Sequence, residues 1–92
     1  MPADAVRRRV VVRGRVQGVF FRDGCQREAS SAGVSGWVRN TDDGAVEAVF
    51  EGSPGAVEQL VTWCRSGSSQ ASVDSVDMSD EPVEGLSGFT TR

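Results

Sequence analysis

Two apolar stripes at helical spacing, each closed by a glycine, constrain this chain more than any other feature. Phe21, Cys25, Ala29 and Ala32 recur at steps of four, four and three, and Gly33 follows. Val57, Leu60, Val61 and Cys64 form a second stripe, and Gly67 follows. Residues at these steps share one face of a helix, and glycine readily takes the left-handed conformation past a helix end. The spacing predicts one helix from near Phe21 to Gly33, although Gly24 within it costs about 1 kcal/mol relative to alanine. A second helix is expected from Ser53-Pro54, a serine cap with proline at the first helical position.

The segments around these stripes read as strands. Arg7–Arg13 contains Val10-Val11-Val12, whose β-branched side chains leave both faces apolar, as in an interior strand. Gly14 to Val19 reads as a loop. Val34–Thr41 and Ala45–Glu51 flank Asp42-Asp43-Gly44, a hairpin signal in which glycine supplies positive φ. Val46, Ala48 and Phe50 alternate with Glu47, Val49 and Glu51, so one sheet face should be covered and the other partly wet. A strand at Ala71–Met78 breaks strict alternation at Val73, Val76 and Met78, which points to a bulge or register shift. A short fifth strand is expected at Gly88–Thr91. Strand, helix, strand, strand, helix, strand, with both stripes seeking one sheet face, is a ferredoxin-like βαββαβ sandwich: a mixed α/β (α+β) fold with an antiparallel sheet and two helices on one side.

Ninety-two residues, 38% of them apolar, suffice for one core, so residues 1–92 are expected as a single domain with 1–6 as a loose tail. No stretch reaches the roughly 18 apolar residues of a membrane span. Only three valines follow the early arginines, short of the apolar region of about 7–15 residues in a signal peptide. A cytoplasmic location without membrane association is therefore expected. Cys25 and Cys64 lack metal-ligand spacing, and the chain has no histidine, so buried free thiols are expected rather than a metal site, with a helix-to-helix disulfide as the alternative.

The net charge of −3 hides a division. Residues 1–40 carry eight arginines and three acids, whereas residues 41–92 carry two arginines and ten acids. A basic half could bind nucleic acid; the plainer expectation is that the halves fold together and mix their charges. Trp37 and Trp63 could act as stacking platforms, but Glu47 and Glu51 on the third strand oppose the basic-aromatic pattern of RNA-binding domains, so no nucleic-acid partner is expected. Asp42 and Asp43 read as turn residues, and Asp23 complements the dipole of the first helix.

Fold alone does not specify function, so the chemistry must come from particular residues. Gly14 to Arg22 is a glycine-bearing turn between a strand and a helix, and it delivers an arginine at the helix start. Backbone N–H groups in such a turn can converge on an anion, the helix dipole adds favourable potential, and a guanidinium fork suits phosphate oxygens. Asn40 beside the hairpin is either a turn asparagine bonded to its own backbone or a second member of the site.

Taken together, Gly14-Arg15-Val16-Gln17-Gly18-Val19-Phe20-Phe21-Arg22, Gly36-Trp37-Val38-Arg39-Asn40, Asp43-Gly44 and Val46-Glu47 resemble the signatures of acylphosphatases, over nearly the whole chain from Arg9 to Phe89. The resemblance implies the same ferredoxin-like sandwich. It implies hydrolysis of a small-molecule acyl phosphate to a carboxylate and inorganic phosphate, the latter acting as product and inhibitor. Arg15, Val16, Gln17, Gly18, Val19 and Phe20 would then cradle the phosphate, with Arg22 binding it and Asn40 orienting the attacking water. No cofactor and no metal are expected, and the protein should act as a monomer. With both Arg22 and Asn40 present, an independent hydrolase is expected rather than a regulatory ligand-binding domain or a module of a larger enzyme. Two places depart from the family pattern. Gly67-Ser68 stands where Gly-Pro is common, and Gly88–Arg92 is more polar than the usual last strand.

Overall fold

Three consecutive valines put β1 (Val6–Arg15) inside the sheet rather than at its edge. The computed structural model describes residues 3–92, and Met1 and Pro2 of the expected tail lie outside them. After β1 come α1 (Phe21–Ala32), β2 (Ser35–Asn40), β3 (Val46–Gly52), α2 (Pro54–Ser66), β4 (Ser72–Glu81) and β5 (Phe89–Thr91). The sheet order is β4-β1-β3-β2-β5; β5 runs parallel to β2 and the other neighbours are antiparallel. This is the expected ferredoxin-like arrangement with its short fifth strand.

Both predicted stripes form the core. Phe21, Cys25 and Ala29 of α1 and Val57, Leu60, Val61 and Cys64 of α2 are buried against Val10, Val12, Val38, Val46, Ala48 and Phe50 of the sheet. Cys25 and Cys64 are both free and wholly buried, the first of the two expected alternatives. Contact with the Cys64 thiol, together with burial, pushes the Cys25 thiol well above its ordinary pKa. The polar fifth strand is anchored by Phe89, whose ring stacks on Phe50 at 5.8 Å.

Several boundaries differ from the sequence expectation. Val6 belongs to β1, opposite Gly52, and not to a loose tail. Gly14 and Arg15 continue β1 instead of opening the loop, because the strand shifts register there. Arg13 pairs with Ser75 and Gly14 with Val73, which leaves Asp74 as the extra residue of the bulge. A Cβ at Gly14 would lie 2.3 Å from the Ser72 carbonyl oxygen, so only glycine fits this approach. Ser53 makes no side-chain cap bond; its carbonyl accepts the Val57 N–H at 3.0 Å, while Pro54 opens α2 as expected.

The sheet face away from the helices is drier than strand alternation implied. Val49 and Glu51 are fully buried and Trp37 nearly so. Arg7 meets Glu51 at 2.8 Å and Glu81 at 2.9 Å; Arg9 meets Glu81 at 2.6 Å, and Arg39 meets Glu47 at 2.6 Å. The Glu51 carboxylate also accepts the backbone N–H groups of Glu84 and Leu86 at 2.8 Å each, which draws the segment after β4 across this face. Every ion pair among the described residues joins an arginine of residues 1–40 to an acid of residues 41–92. The divided charge of the sequence is thus neutralised by folding.

Candidate active site

Once β1 takes Gly14 and Arg15, the connection to α1 shrinks to Val16–Phe20. Gly18 has φ 72°, and Phe20, the residue capping α1, has φ 62° and ψ 23°. A bulky residue in the left-handed region is uncommon and marks a backbone held by its surroundings. Among the described residues, none of the N–H groups from Gln17 to Phe20 donates to a protein acceptor within hydrogen-bonding distance. Four adjacent donors in the loop that leads into a twelve-residue helix therefore remain available to an anion.

The loop is braced from two sides. The Gln17 side-chain amide donates to the carbonyls of Thr41 and Ala45, both at 2.8 Å, and so ties the loop to the β2–β3 hairpin. The Ser68 hydroxyl donates to the Val19 carbonyl at 2.5 Å, a bond that a proline at this position could not make. Val19 itself turns its side chain into the core.

A cavity of about 250 Å³ lies between the loop, the first turn of α1 and the end of β2, lined by Val16, Gly18, Phe20, Phe21, Arg22, Asp23 and Asn40. Of the residues singled out in sequence, Val16, Gly18, Phe20, Arg22 and Asn40 meet here. Arg15, Gln17 and Val19 do not line the cavity: Arg15 ends β1 exposed, and the other two side chains are engaged as described. Asp23 does line it, which its reading as a dipole-complementing residue did not anticipate.

Arg22 projects from the first turn of α1, and its Nη1 donates to the Arg92 carbonyl at 3.2 Å. Arg92 is in turn fixed by its N–H to the Val38 carbonyl at 2.8 Å and by its guanidinium 4.4 Å over the Trp37 ring. Nothing local in the sequence signals this support, since it joins residues at opposite ends of the chain.

The hairpin turn is closed without Asn40. Thr41 N–H donates to the Ala45 carbonyl at 2.9 Å, Ala45 N–H donates to the Thr41 hydroxyl at 3.0 Å, and the Thr41 hydroxyl also bonds Asp43. That bond and the Arg13 guanidinium hold the Asp43 carboxyl down at about 2. Asn40 is thereby released from turn duty. Its Oδ1 is buried with no hydrogen-bond partner among the described residues, an uncommon condition for a side-chain acceptor in a folded protein. The cavity is thus bordered by an arginine, by a loop with unpaired donors, and by an asparagine whose side-chain acceptor is unsatisfied.

The acylphosphatase family model matches residues 8–91. An acylphosphatase of Rubrobacter xylanophilus is 56% identical over 85 residues, covering 91% of this chain and 77% of its own. One from a Synechococcus species is 53% identical over 98% of this chain and 96% of its own. The solved acylphosphatase of Coxiella burnetii superposes with a TM-score of 0.93 at 36% identity, covering 97% of this chain and 94% of its own. With the pattern spanning both strand-loop-helix and hairpin segments, the chain belongs to the acylphosphatase family.

Proposed function

We propose that the cavity hydrolyses acyl phosphates to a carboxylate and inorganic phosphate without a metal, with the phosphoryl group on the Val16–Phe20 loop and Arg22 and the attacking water on Asn40. The observation that carries this assignment is the orphaned Asn40 Oδ1, buried without a partner in a side chain that lines the same cavity as Arg22. A carbonyl-type oxygen there accepts a hydrogen bond from water and is too weakly basic to remove its proton, so its contribution is position. The unpaired loop N–H groups and the guanidinium supply positive potential for the equatorial phosphoryl oxygens, which a loose phosphoryl-transfer transition state requires.

In the reaction, the water oxygen forms a bond to phosphorus as the bond from phosphorus to the acyl oxygen breaks. The electron pair of that bond leaves with the carboxylate, a stable anion that needs no acid to depart. The proton of the water passes to a phosphoryl oxygen, so no protein base is consumed. One continuous core joins both helices to the sheet beneath the cavity, which supports residues 1–92 acting as one catalytic unit.

Acetyl phosphate hydrolysed in heavy-oxygen water tests the reading. The label should enter inorganic phosphate and not acetate, and unlabelled inorganic phosphate should inhibit competitively. Label in acetate would place the attack at the carbonyl carbon and overturn the assignment.

A further inference from the structure

The cavity of the proposed reaction, about 250 Å³, holds a phosphoryl group with room for a short acyl group beside it. A second groove, of about 500 Å³, begins on the other flank of Phe20, the one residue that lines both. That volume is within the usual range for small-molecule sites. Phe20 is 63% exposed, a large apolar surface set at the junction by the left-handed turn that starts α1.

The groove has a built floor. Trp63 of α2 lies against the backbone of α1 at Gly24, where a Cβ would come within 2.8 Å of the indole Cζ2. The glycine that weakens α1 therefore lets the indole settle beside Phe21, ring centroids 5.1 Å apart and edge-on. The far rim is the Gly67–Gln70 turn, joined to the phosphate-side loop by the Ser68 to Val19 bond. Arg27 and Glu28 both border the groove, so its charges oppose one another and it offers no net attraction to a second anionic group. A more open recess bounded by Phe20, Asp23, Gln26 and Arg27 has no aromatic floor.

We propose that the groove between Phe20 and Trp63 receives the acyl group of the substrate and selects uncharged acyl bodies larger than acetyl. The inference rests on the acyl phosphate reading of the neighbouring cavity. With the phosphoryl group in that cavity, an acyl group passing Phe20 meets apolar ring surface on one side and the indole beneath it. Acetyl is too short to reach the floor, so the groove acts on selectivity and leaves the chemical step to Arg22 and Asn40.

The experiment compares acetyl phosphate, benzoyl phosphate and succinyl phosphate, with inhibition by inorganic phosphate as an internal control. Trp63→Leu removes the aromatic floor, and Gln70→Trp fills the groove from an exposed rim position that tolerates substitution. Each should raise KM for benzoyl phosphate about 10-fold, while KM for acetyl phosphate and the phosphate inhibition constant move less than about 2-fold. Equal shifts for benzoyl and acetyl phosphate, or no shift for benzoyl phosphate in either variant, overturn the groove assignment. Preference for succinyl over benzoyl phosphate that disappears in Arg27→Gln overturns the selection of uncharged groups. A wild-type protein that hydrolyses none of the three overturns the acyl phosphate reading itself, a result separable from loss of selectivity.

Discussion

The Gln17 amide donates to the Thr41 carbonyl at 2.8 Å, so the loop that would hold phosphate is bonded to the residue directly after Asn40. This side chain therefore helps to fix the spacing between the two parts of the site. Gln17→Ala should leave the Thr41 and Ala45 carbonyls without this donor and cost about 1–3 kcal/mol of stability. It should also lower kcat by about 10²-fold, because displacement of a positioned group by about 1 Å has that effect. Urea unfolding and steady-state kinetics on one preparation check both. Lost stability with unchanged kcat would limit Gln17 to a fold brace.

Arg22→Gln should raise the inhibition constant of inorganic phosphate and lower kcat/KM by about 10²-fold or more, since a charge-assisted fork is lost. Arg22→Lys should recover little, because an ammonium cannot reproduce two parallel N–H bonds to phosphate. Isothermal titration with phosphate and kinetics with acetyl phosphate give the two readouts.

Asn40→Ala should behave differently. Its acceptor has no hydrogen-bond partner among the described residues, so removal breaks no such bond and should change the melting temperature little. The rate should fall about 10²–10³-fold, by analogy with the loss of one preorganised transition-state hydrogen bond, while phosphate affinity stays within about 2-fold. A lower melting temperature with normal kcat would return Asn40 to a structural role.

Stability should depend on acid through the ion pairs of the sheet. Burial pushes the Glu47 carboxyl up, but Arg39 and Arg9 outweigh it; burial does the same at Glu51, where two N–H donors and Arg7 outweigh it. Both carboxyls therefore titrate below their ordinary 4.5 in the folded chain. A depressed folded pKa means the unfolded chain binds protons first, so this stabilisation is complete above pH 4.5 and is lost as pH falls through the lowered values. Asp43 extends the loss toward about pH 2. The melting temperature should be level above pH 4.5 and fall below it. Glu51→Gln should lower the stability above that pH by about 1–3 kcal/mol, since Arg7 loses its closest partner but keeps Glu81 and Glu84, and should shallow the acid decline. A decline of unchanged steepness in Glu51→Gln would assign it to other groups.

Exhaustive chelation should leave acetyl phosphate hydrolysis unchanged, since Arg22 and backbone donors supply the charge. Turnover lost to a chelator and restored by magnesium would require a metal-assisted mechanism instead.

Local periodicity made the helices and hairpin readable. Phe21, Cys25, Ala29 and Val57, Leu60, Cys64 are core residues because their spacing left them no alternative. Arg22 and Asn40 were legible as a pair only through the motifs around them, and that they line one cavity emerges from β1 and β2 ending at the same end of the sheet. The covered second sheet face was not legible, because Glu51 looks solvent-exposed until Arg7 and the backbone of residues 84–86 close over it. Nor was the support of Arg22 by Arg92, a contact between residues 70 positions apart that leaves no periodic trace.

The two buried thiols turn the molecule into its own unfolding gauge. Cys25 and Cys64 sit where α1 and α2 meet, wholly shielded, and the elevated Cys25 pKa keeps thiolate scarce while the helices stay packed. Alkylation therefore waits on separation of the helices from each other and from the sheet. Its rate counts those openings without any label or substitution. The same openings expose the start of α1, so the gauge reads how often the anchor of Arg22 comes loose.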